Sequence, residues 1–177
     1  YLKKEQLEKY TKDVLRIDVS IEDGIKTLVE EHKIKIEEDR FYLQLSYVTE
    51  IKLAQKILEI NDDSSHESYD QDYISTLIDM IEIQKNMHYT DVQKTAILSA
   101  MTHNFTVITG GPGTGKTTII DGLLEVYRTY YKLDFSSHDI YQKIALLAPT
   151  GRAAKRMKEL LDMQTSTIHR HLGFNYD

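Results

Sequence analysis

The stretch that most constrains the fold of this chain is GGPGTGKT, at residues 110–117. Gly110, Gly115, Lys116 and Thr117 stand at the spacing of a phosphate-binding loop. Glycines let the backbone of such a loop approach a polyphosphate, whose oxygens accept hydrogen bonds from successive N–H groups. The pattern therefore predicts a nucleotide site between a strand and a helix.

The residues on both sides of the loop fit this prediction. Residues 105–109 (FTVIT) are short, apolar and β-branched, which is typical of a buried parallel strand. Apolar residues then recur at helical spacing from the loop to about residue 131. Residues 143–148 (KIALLA) predict a second buried strand. A strand, a helix and a strand around a phosphate loop form a βαβ unit, so the predicted fold class is α/β with a parallel sheet.

Two side chains of the loop carry the expected chemistry. The Lys116 ammonium is expected to reach the β and γ phosphates, and the Thr117 hydroxyl is expected to bind Mg²⁺. The helix that begins here adds the positive end of its dipole. We therefore expect ATP with Mg²⁺ as the cofactor and a phosphate seated along residues 111–118.

A second signal lies at residues 90–93 (TDVQ), at the start of another predicted helix. Thr90 and Gln93 have the spacing of a capping box, in which the glutamine side chain bonds back to the cap N–H. The amide of Gln93 could also pair with adenine, because it both donates and accepts hydrogen bonds. The local pattern favours the cap and leaves both roles open.

Composition and charge limit the classes of protein to which this chain can belong. The chain has 177 residues and no cysteine, which excludes disulfides and thiolate metal sites. It has no apolar run of membrane-spanning length and no secretory leader, so we expect a cytoplasmic protein without a membrane partner. It begins with Tyr1 and is expected to be a piece of a longer chain. Residues 1–87 hold 12 Lys/Arg and 20 Asp/Glu, against 10 and 8 in residues 88–177.

Residues 1–60 predict a small module of their own. Helical spacing over residues 2–15 and 21–31 gives way to alternating apolar residues around a charged turn, which predicts a β-hairpin at about 33–45. A helix is expected over residues 47–60. Helices followed by a hairpin are the order of a winged-helix-like module, used for DNA or for protein contacts; its acidic surface favours contacts with other proteins. Residues 61–87 are expected to form an acidic linker and a helix.

The second predicted strand runs into a basic segment. Thr150, Gly151 and Arg152 follow it directly, at the strand end where open α/β sheets place ligands. A helix is expected to follow through about residue 161, with Met157 and Leu160 on its buried side and Arg156 on or near its exposed side. Basic residues on such a helix are most often a solvated face.

Four segments together resemble one family. They are TDVQ at 90–93, VITGGPGTGKTT at 107–118, LAPTGRAAKRM at 147–157 and STIHRHLG at 166–173. In order and spacing they resemble the RecD-like family of superfamily 1 DNA helicases. The resemblance covers residues 88–177 closely, whereas residues 1–87 resemble the N-terminal region of such proteins only in layout.

The resemblance implies a fold and a set of site residues. Residues 88–177 would be the first part of a RecA-like ATPase core, so that the sheet here is incomplete. Gln93 becomes an adenine contact, and Lys116 becomes the catalytic lysine. The residues that would bind nucleotide are Gln93, Gly111, Gly113, Thr114, Gly115, Lys116, Thr117 and Thr118. Those that would bind single-stranded DNA are Thr150, Gly151, Arg152, Thr167 and His169.

The function that the resemblance implies is ATP-driven translocation on single-stranded DNA and at duplex junctions, in DNA repair and recombination. Other repair proteins would contact the N-terminal module. No paired Asp-Glu follows an apolar strand after the loop, so we expect this chain to bind MgATP without hydrolysing it or unwinding DNA. The alternatives are a different phosphate-loop NTPase, and a regulatory or interaction fragment whose nucleotide loop is unused.

Overall fold

The computed structural model describes most of the chain, namely residues 1–16, 20–63, 69–133 and 140–174. It divides into two compact units, Tyr1–Asp63 and Ser64–Asp177. The predicted polar loop at 134–139 and the middle of the predicted acidic linker lie outside the described residues. Within the described ranges, no helix is both long enough and apolar enough to cross a membrane.

The described part of the first unit consists of helices around a small antiparallel sheet. Its elements are β1 (Leu2–Lys3), α1 (Lys4–Leu15), α2 (Glu22–Glu30), β2 (Ile34–Glu37), β3 (Arg40–Leu43) and α3 (Gln44–Asn61). The strand order is β1-β3-β2. Leu2 of β1 pairs with Phe41 of β3, a contact between residues far apart in sequence.

The hairpin predicted at about 33–45 is present. β2 and β3 pair antiparallel, with Ile34 opposite Leu43 and Ile36 opposite Phe41. The turn uses Glu38 in the left-handed region, with φ of 56°. The second strand ends earlier than expected, because Leu45, predicted to continue the alternation, already lies in α3.

The apolar side chains of the first unit are poorly covered. None of its described residues is fully buried, and Leu45 of α3 is 79% exposed. The helices and the hairpin occur in the predicted order, but the identification of this unit as a winged-helix-like module stays a prediction.

The second unit contains the phosphate loop and carries the buried core. Its described elements are α4 (Gln71–Lys85), α5 (Asp91–Thr102), α6 (Lys116–Tyr130), α7 (Ile140–Lys143), β4 (Leu146–Ala148), α8 (Gly151–Leu161), β5 (Thr165–Thr167) and α9 (Ile168–His171). α4, α5 and α6 enclose a cluster in which Ile74, Ile97 and Val126 have no exposed surface. Burying side chains of this size supplies most of the stability of such a unit.

A parallel βαβ unit is present, one step later in the chain than predicted. β4 and β5 pair in parallel, with Leu146 opposite Thr165 and Ala148 opposite Thr167, and α8 connects them. The strand predicted at 143–148 is shorter, because Lys143 ends the helical turn α7. That turn places Ile140 in a second buried cluster with Leu161 of α8.

The buried strand predicted at 105–109 is wrong in this structure. These residues form no ladder with any described strand, and Val107 is 72% exposed, whereas Ile108 packs against the helical core. A strand is defined by its hydrogen-bonded neighbour as well as by its own residues. Only the side of the segment that faces the helices is covered.

A glycine brings two helices of the core close together. Gly122 of α6 is buried, and a Cβ added to it would lie 2.5 Å from Tyr89 Oη and 2.8 Å from Ile97 Cδ1. Carbon atoms in van der Waals contact are about 3.5–4.0 Å apart, so only a residue without a Cβ fits here. This contact holds α6, which begins at the phosphate loop, against α5.

Candidate functional site

The phosphate loop has the backbone that its glycines predict. Gly113 and Gly115 have φ of 76° and 82°, in the left-handed region that L side chains rarely adopt. Gly115 is the residue before the first turn of α6 and caps it without a side chain. The first N–H groups of α6 have no partners within the helix and point along its axis toward the loop. Such an arrangement favours an anion at the positive end of a helix dipole.

The ammonium of Lys116 lies over the loop. Its Nζ donates hydrogen bonds to the carbonyl oxygens of Gly110, at 2.7 Å, and Gly111, at 2.6 Å. The Thr114 hydroxyl donates to the same Gly111 oxygen at 3.0 Å. These bonds fold the loop around the ammonium, where a polyphosphate would find a fixed positive charge beside the N–H groups.

The predicted capping box at the start of α5 is confirmed. The Thr90 N–H donates to Gln93 Oε1 at 2.9 Å, and the Gln93 N–H donates to Thr90 Oγ1 at 3.3 Å. The amide also reaches the phosphate loop, since its Nε2 donates to the Thr114 carbonyl at 3.4 Å. A Cβ added to Gly115 would collide with this Nε2. The glycine therefore lets the Gln93 amide lie directly against the loop.

These bonds leave the Gln93 amide with hydrogen-bonding capacity. The amide has two N–H donors and two acceptor lone pairs, and the protein uses one of each. One donor and one acceptor remain for a ligand, which is the combination that pairs with adenine. The cap and an adenine contact are thus compatible, although the contact itself stays a prediction.

A buried carboxylate fixes the approach to the capping box. Glu82 of α4 is 7% exposed and accepts hydrogen bonds from the Tyr89 N–H at 2.6 Å and from Lys94 Nζ at 2.7 Å. The Lys94 bond, followed by the Tyr89 N–H, lowers the pKa of Glu82 below its usual range. A carboxylate that is ionised and fully bonded can remain buried. Sequence reasoning missed Glu82, which lies between two isoleucines of a helical pattern.

An open cleft of about 510 Å³ lies beside the phosphate loop. One wall consists of the candidate nucleotide residues 113–118, with Ile120. The opposite wall is a face of α8, formed by Ala153, Arg156, Met157 and Leu160. The structure thus brings the predicted residues 113–118 together around one cleft, whose lining does not include Gly111 or Gln93. It also adds a face of α8 to this cleft, which was not predicted from the sequence.

The two predicted DNA-binding segments follow adjacent parallel strands. Thr150 lies just beyond β4 and Thr167 ends β5, so both segments occur at the same edge of the sheet. Each threonine caps a helix: Thr150 Oγ1 accepts from the Ala153 N–H at 3.3 Å, and Thr167 Oγ1 accepts from the Arg170 N–H at 3.2 Å. These bonds give both residues a structural role.

The remaining DNA-binding candidates are open to solvent. Gly151, Arg152 and His169 are all exposed, and the His169 ring lies edge-on to Phe174, with 6.3 Å between ring centroids. A Cβ added to Gly151 would meet no atom within 4 Å. The backbone there is accessible, which suits contact with an extended ligand.

The prediction for α8 is correct for Arg156 and wrong for Leu160. Arg156 is exposed, as expected, and it also lines the cleft with Ala153 and Met157. The spacing 153, 156, 157 and 160 places these residues on one helix face, because residues three and four apart are neighbours on a helix surface. Leu160, expected to be buried, is 55% exposed in the same wall.

In a comparison with known proteins, residues 93–177 match the model of a family described as an AAA domain. The RecD subunit of the RecBCD enzyme from Haemophilus influenzae is 46% identical over 85 residues, 48% of this chain. The ATP-dependent RecD2 DNA helicase of Deinococcus radiodurans is 36% identical over 72 residues, 41% of this chain. The RecD subunit of Buchnera aphidicola is 32% identical over 124 residues, 70% of this chain.

This chain is much shorter than these relatives. The matched part spans 11% of the Haemophilus protein, 9% of the Deinococcus protein and 18% of the Buchnera protein. The range that matches the family model, residues 93–177, includes Gln93, the phosphate loop and both strand-end segments. The site described above therefore lies inside the region of similarity.

Proposed function

Because this chain belongs to the RecD-like family, we propose that it forms the ATP-binding part of a DNA helicase that acts in repair and recombination in the cytoplasm. The observation that carries the proposal is the convergence of Lys116, the left-handed glycines and the start of α6 on one cleft. Preorganised N–H groups and an ammonium at a helix start favour a polyphosphate over other ligands.

In this proposal, each residue of the site has a definite task. The amide of Gln93 binds adenine with its remaining donor and acceptor. Residues 111–118 surround the phosphates, with Lys116 as the catalytic lysine on the β and γ oxygens. The Thr117 hydroxyl binds Mg²⁺, which neutralises phosphate charge when it is present.

We expect this chain to bind MgATP without turning it over. Hydrolysis requires a carboxylate near the metal and an arginine on the γ phosphate, in addition to a phosphate cradle. MgATP should raise the melting temperature of the purified chain, because a ligand that binds only the folded state stabilises it. Calorimetry should give a saturable heat, and a phosphate-release assay with single-stranded DNA should stay at background.

Two results would contradict this expectation. If millimolar MgATP produced neither a thermal shift nor a binding heat, the proposed nucleotide site would be wrong. Steady DNA-stimulated phosphate release that is lost in Lys116→Ala would show that the chain is catalytically complete.

We further propose that the shared sheet edge binds the backbone of single-stranded DNA, also next to duplex junctions. Arg152 is exposed at the start of α8, where its guanidinium can pair with a phosphate. The Gly151 backbone, Thr150, Thr167 and His169 would line the same path, and movement of this edge during the ATPase cycle would drive translocation. The first unit, with its uncovered apolar residues, would contact other repair proteins.

Replacing Arg152 with alanine should weaken DNA binding in a salt-dependent way. Loss of one phosphate contact lowers the slope of log K against log salt by about 0.7 for single strands. Fluorescence anisotropy with a labelled oligothymidine across a salt series measures this slope. Lys155→Ala, a neighbouring change of equal charge, serves as the control. An unchanged slope in Arg152→Ala would count against a phosphate contact there.

A further inference from the structure

Arg156 occupies an unusual place on α8. It lies one turn beyond Arg152 on the wall that faces the phosphate loop, next to Met157. The two lysines of the helix, Lys155 and Lys158, are absent from that wall. Since α8 contacts α6, whose first residue is Lys116, the cleft holds one cation on each side.

The charges around this cleft are of one sign. Among its described lining residues no side chain is acidic, whereas Lys116 and Arg156 are both cationic. Arg156 forms no ion pair or hydrogen bond with any residue that the structure describes. Two cations facing one cleft without a carboxylate repel each other weakly and attract an anion to the space between them.

We propose that the Arg156 guanidinium binds the polyphosphate of the nucleotide from the wall opposite the phosphate loop. This inference rests on the proposed nucleotide site and adds a residue to it. A guanidinium presents its N–H groups in a planar fork that matches phosphate oxygens. The side chain is long and exposed, so it can reach across an open cleft.

The position of Arg156 also gives α8 a second task. Arg152, proposed to hold DNA, and Arg156 are four residues apart, which is about 6 Å along a helix axis. One short helix therefore carries a proposed DNA contact at its first turn and a nucleotide contact at its second.

The test compares three variants by calorimetry: Arg156→Ala, Arg156→Lys and the control Lys155→Ala, which changes the same charge off the cleft wall. Each is titrated with MgATP and with inorganic tripolyphosphate, which lacks the base. Arg156→Ala should bind both about fivefold more weakly than the unsubstituted chain. Arg156→Lys should recover part of the loss, and Lys155→Ala should bind as the unsubstituted chain does.

Three outcomes would overturn the inference. Equal affinities in Arg156→Ala and the unsubstituted chain would show that the guanidinium does not touch the phosphates. An equal loss in Lys155→Ala would reduce the effect to general charge. A loss with MgATP but none with tripolyphosphate would place Arg156 near the base instead. If the unsubstituted chain bound neither ligand, the proposed nucleotide site itself would be wrong. Thermal unfolding of each variant shows whether that variant is folded.

Discussion

Replacing Lys116 with alanine is expected to weaken MgATP binding by about 100-fold, because it removes charge-assisted hydrogen bonds to the phosphates. The ammonium lies within 2.7 Å of the Gly110 and Gly111 carbonyl oxygens, inside the turn of the loop. No other cation of the described loop residues could replace it, since the rest of the loop consists of glycine, proline and threonine. Calorimetric titration with MgATP measures the loss.

Lys158→Ala is the control for this experiment, because Lys158 belongs to the same unit and is absent from the cleft lining. Its affinity for MgATP should match that of the unsubstituted chain. The half-buried Lys116 also shapes the loop, so a Lys116→Met variant, which keeps the length of the side chain, shows how much of the loss is due to charge. Retention of full affinity in both Lys116 variants would disprove the assignment of the phosphate site.

Replacing Gly122 with alanine is expected to destabilise the second unit by about 1–3 kcal/mol, the usual cost of overpacking a core. The added methyl would overlap Tyr89 Oη, at 2.5 Å, and Ile97 Cδ1, at 2.8 Å. Both neighbours are buried, so neither can move without displacing others. The melting temperature should fall by roughly 4–8 °C for each kcal/mol lost.

Two further variants test this explanation. Gly151→Ala, at a glycine in the same unit with open space around it, should leave the melting temperature nearly unchanged. The Tyr89 hydroxyl has no hydrogen-bond partner among the described residues, so Tyr89→Phe removes an atom from the collision without breaking a bond. Combining it with Gly122→Ala should recover part of the stability, as coupled neighbours do. A Gly122→Ala chain as stable as the unsubstituted one would contradict the close approach.

Features encoded within a few residues could be predicted from the sequence. The spacing of Gly115 and Lys116 predicts both the loop and the start of α6, and the Thr90–Gln93 pair predicts the capping box. In each case the partners lie within one turn of each other, so local chemistry determines the geometry.

Features that depend on distant partners could not be predicted. Helical spacing was expected from residue 2, but Leu2 forms β1 because it pairs with Phe41, which is distant in sequence. The segment 105–109 has the residues of a strand but no described neighbour to pair with. The sequence places Arg156 on one helix face with Ala153 and Met157, but only the contact of α8 with α6 shows that this face lines the cleft.

The hydrogen bonds of the Gln93 side chain have a consequence for the choice of base. Because Oε1 is held by the Thr90 N–H and Nε2 by the Thr114 carbonyl, the amide cannot rotate by 180° without breaking both bonds. Its remaining donor and acceptor therefore keep fixed positions, and in the proposed adenine contact they would face N7 and the exocyclic amine. Guanine presents a carbonyl where adenine has that amine, and two acceptors would face each other. In that contact, a helix cap made during folding would set base selectivity before any nucleotide binds, and binding would not have to order the amide.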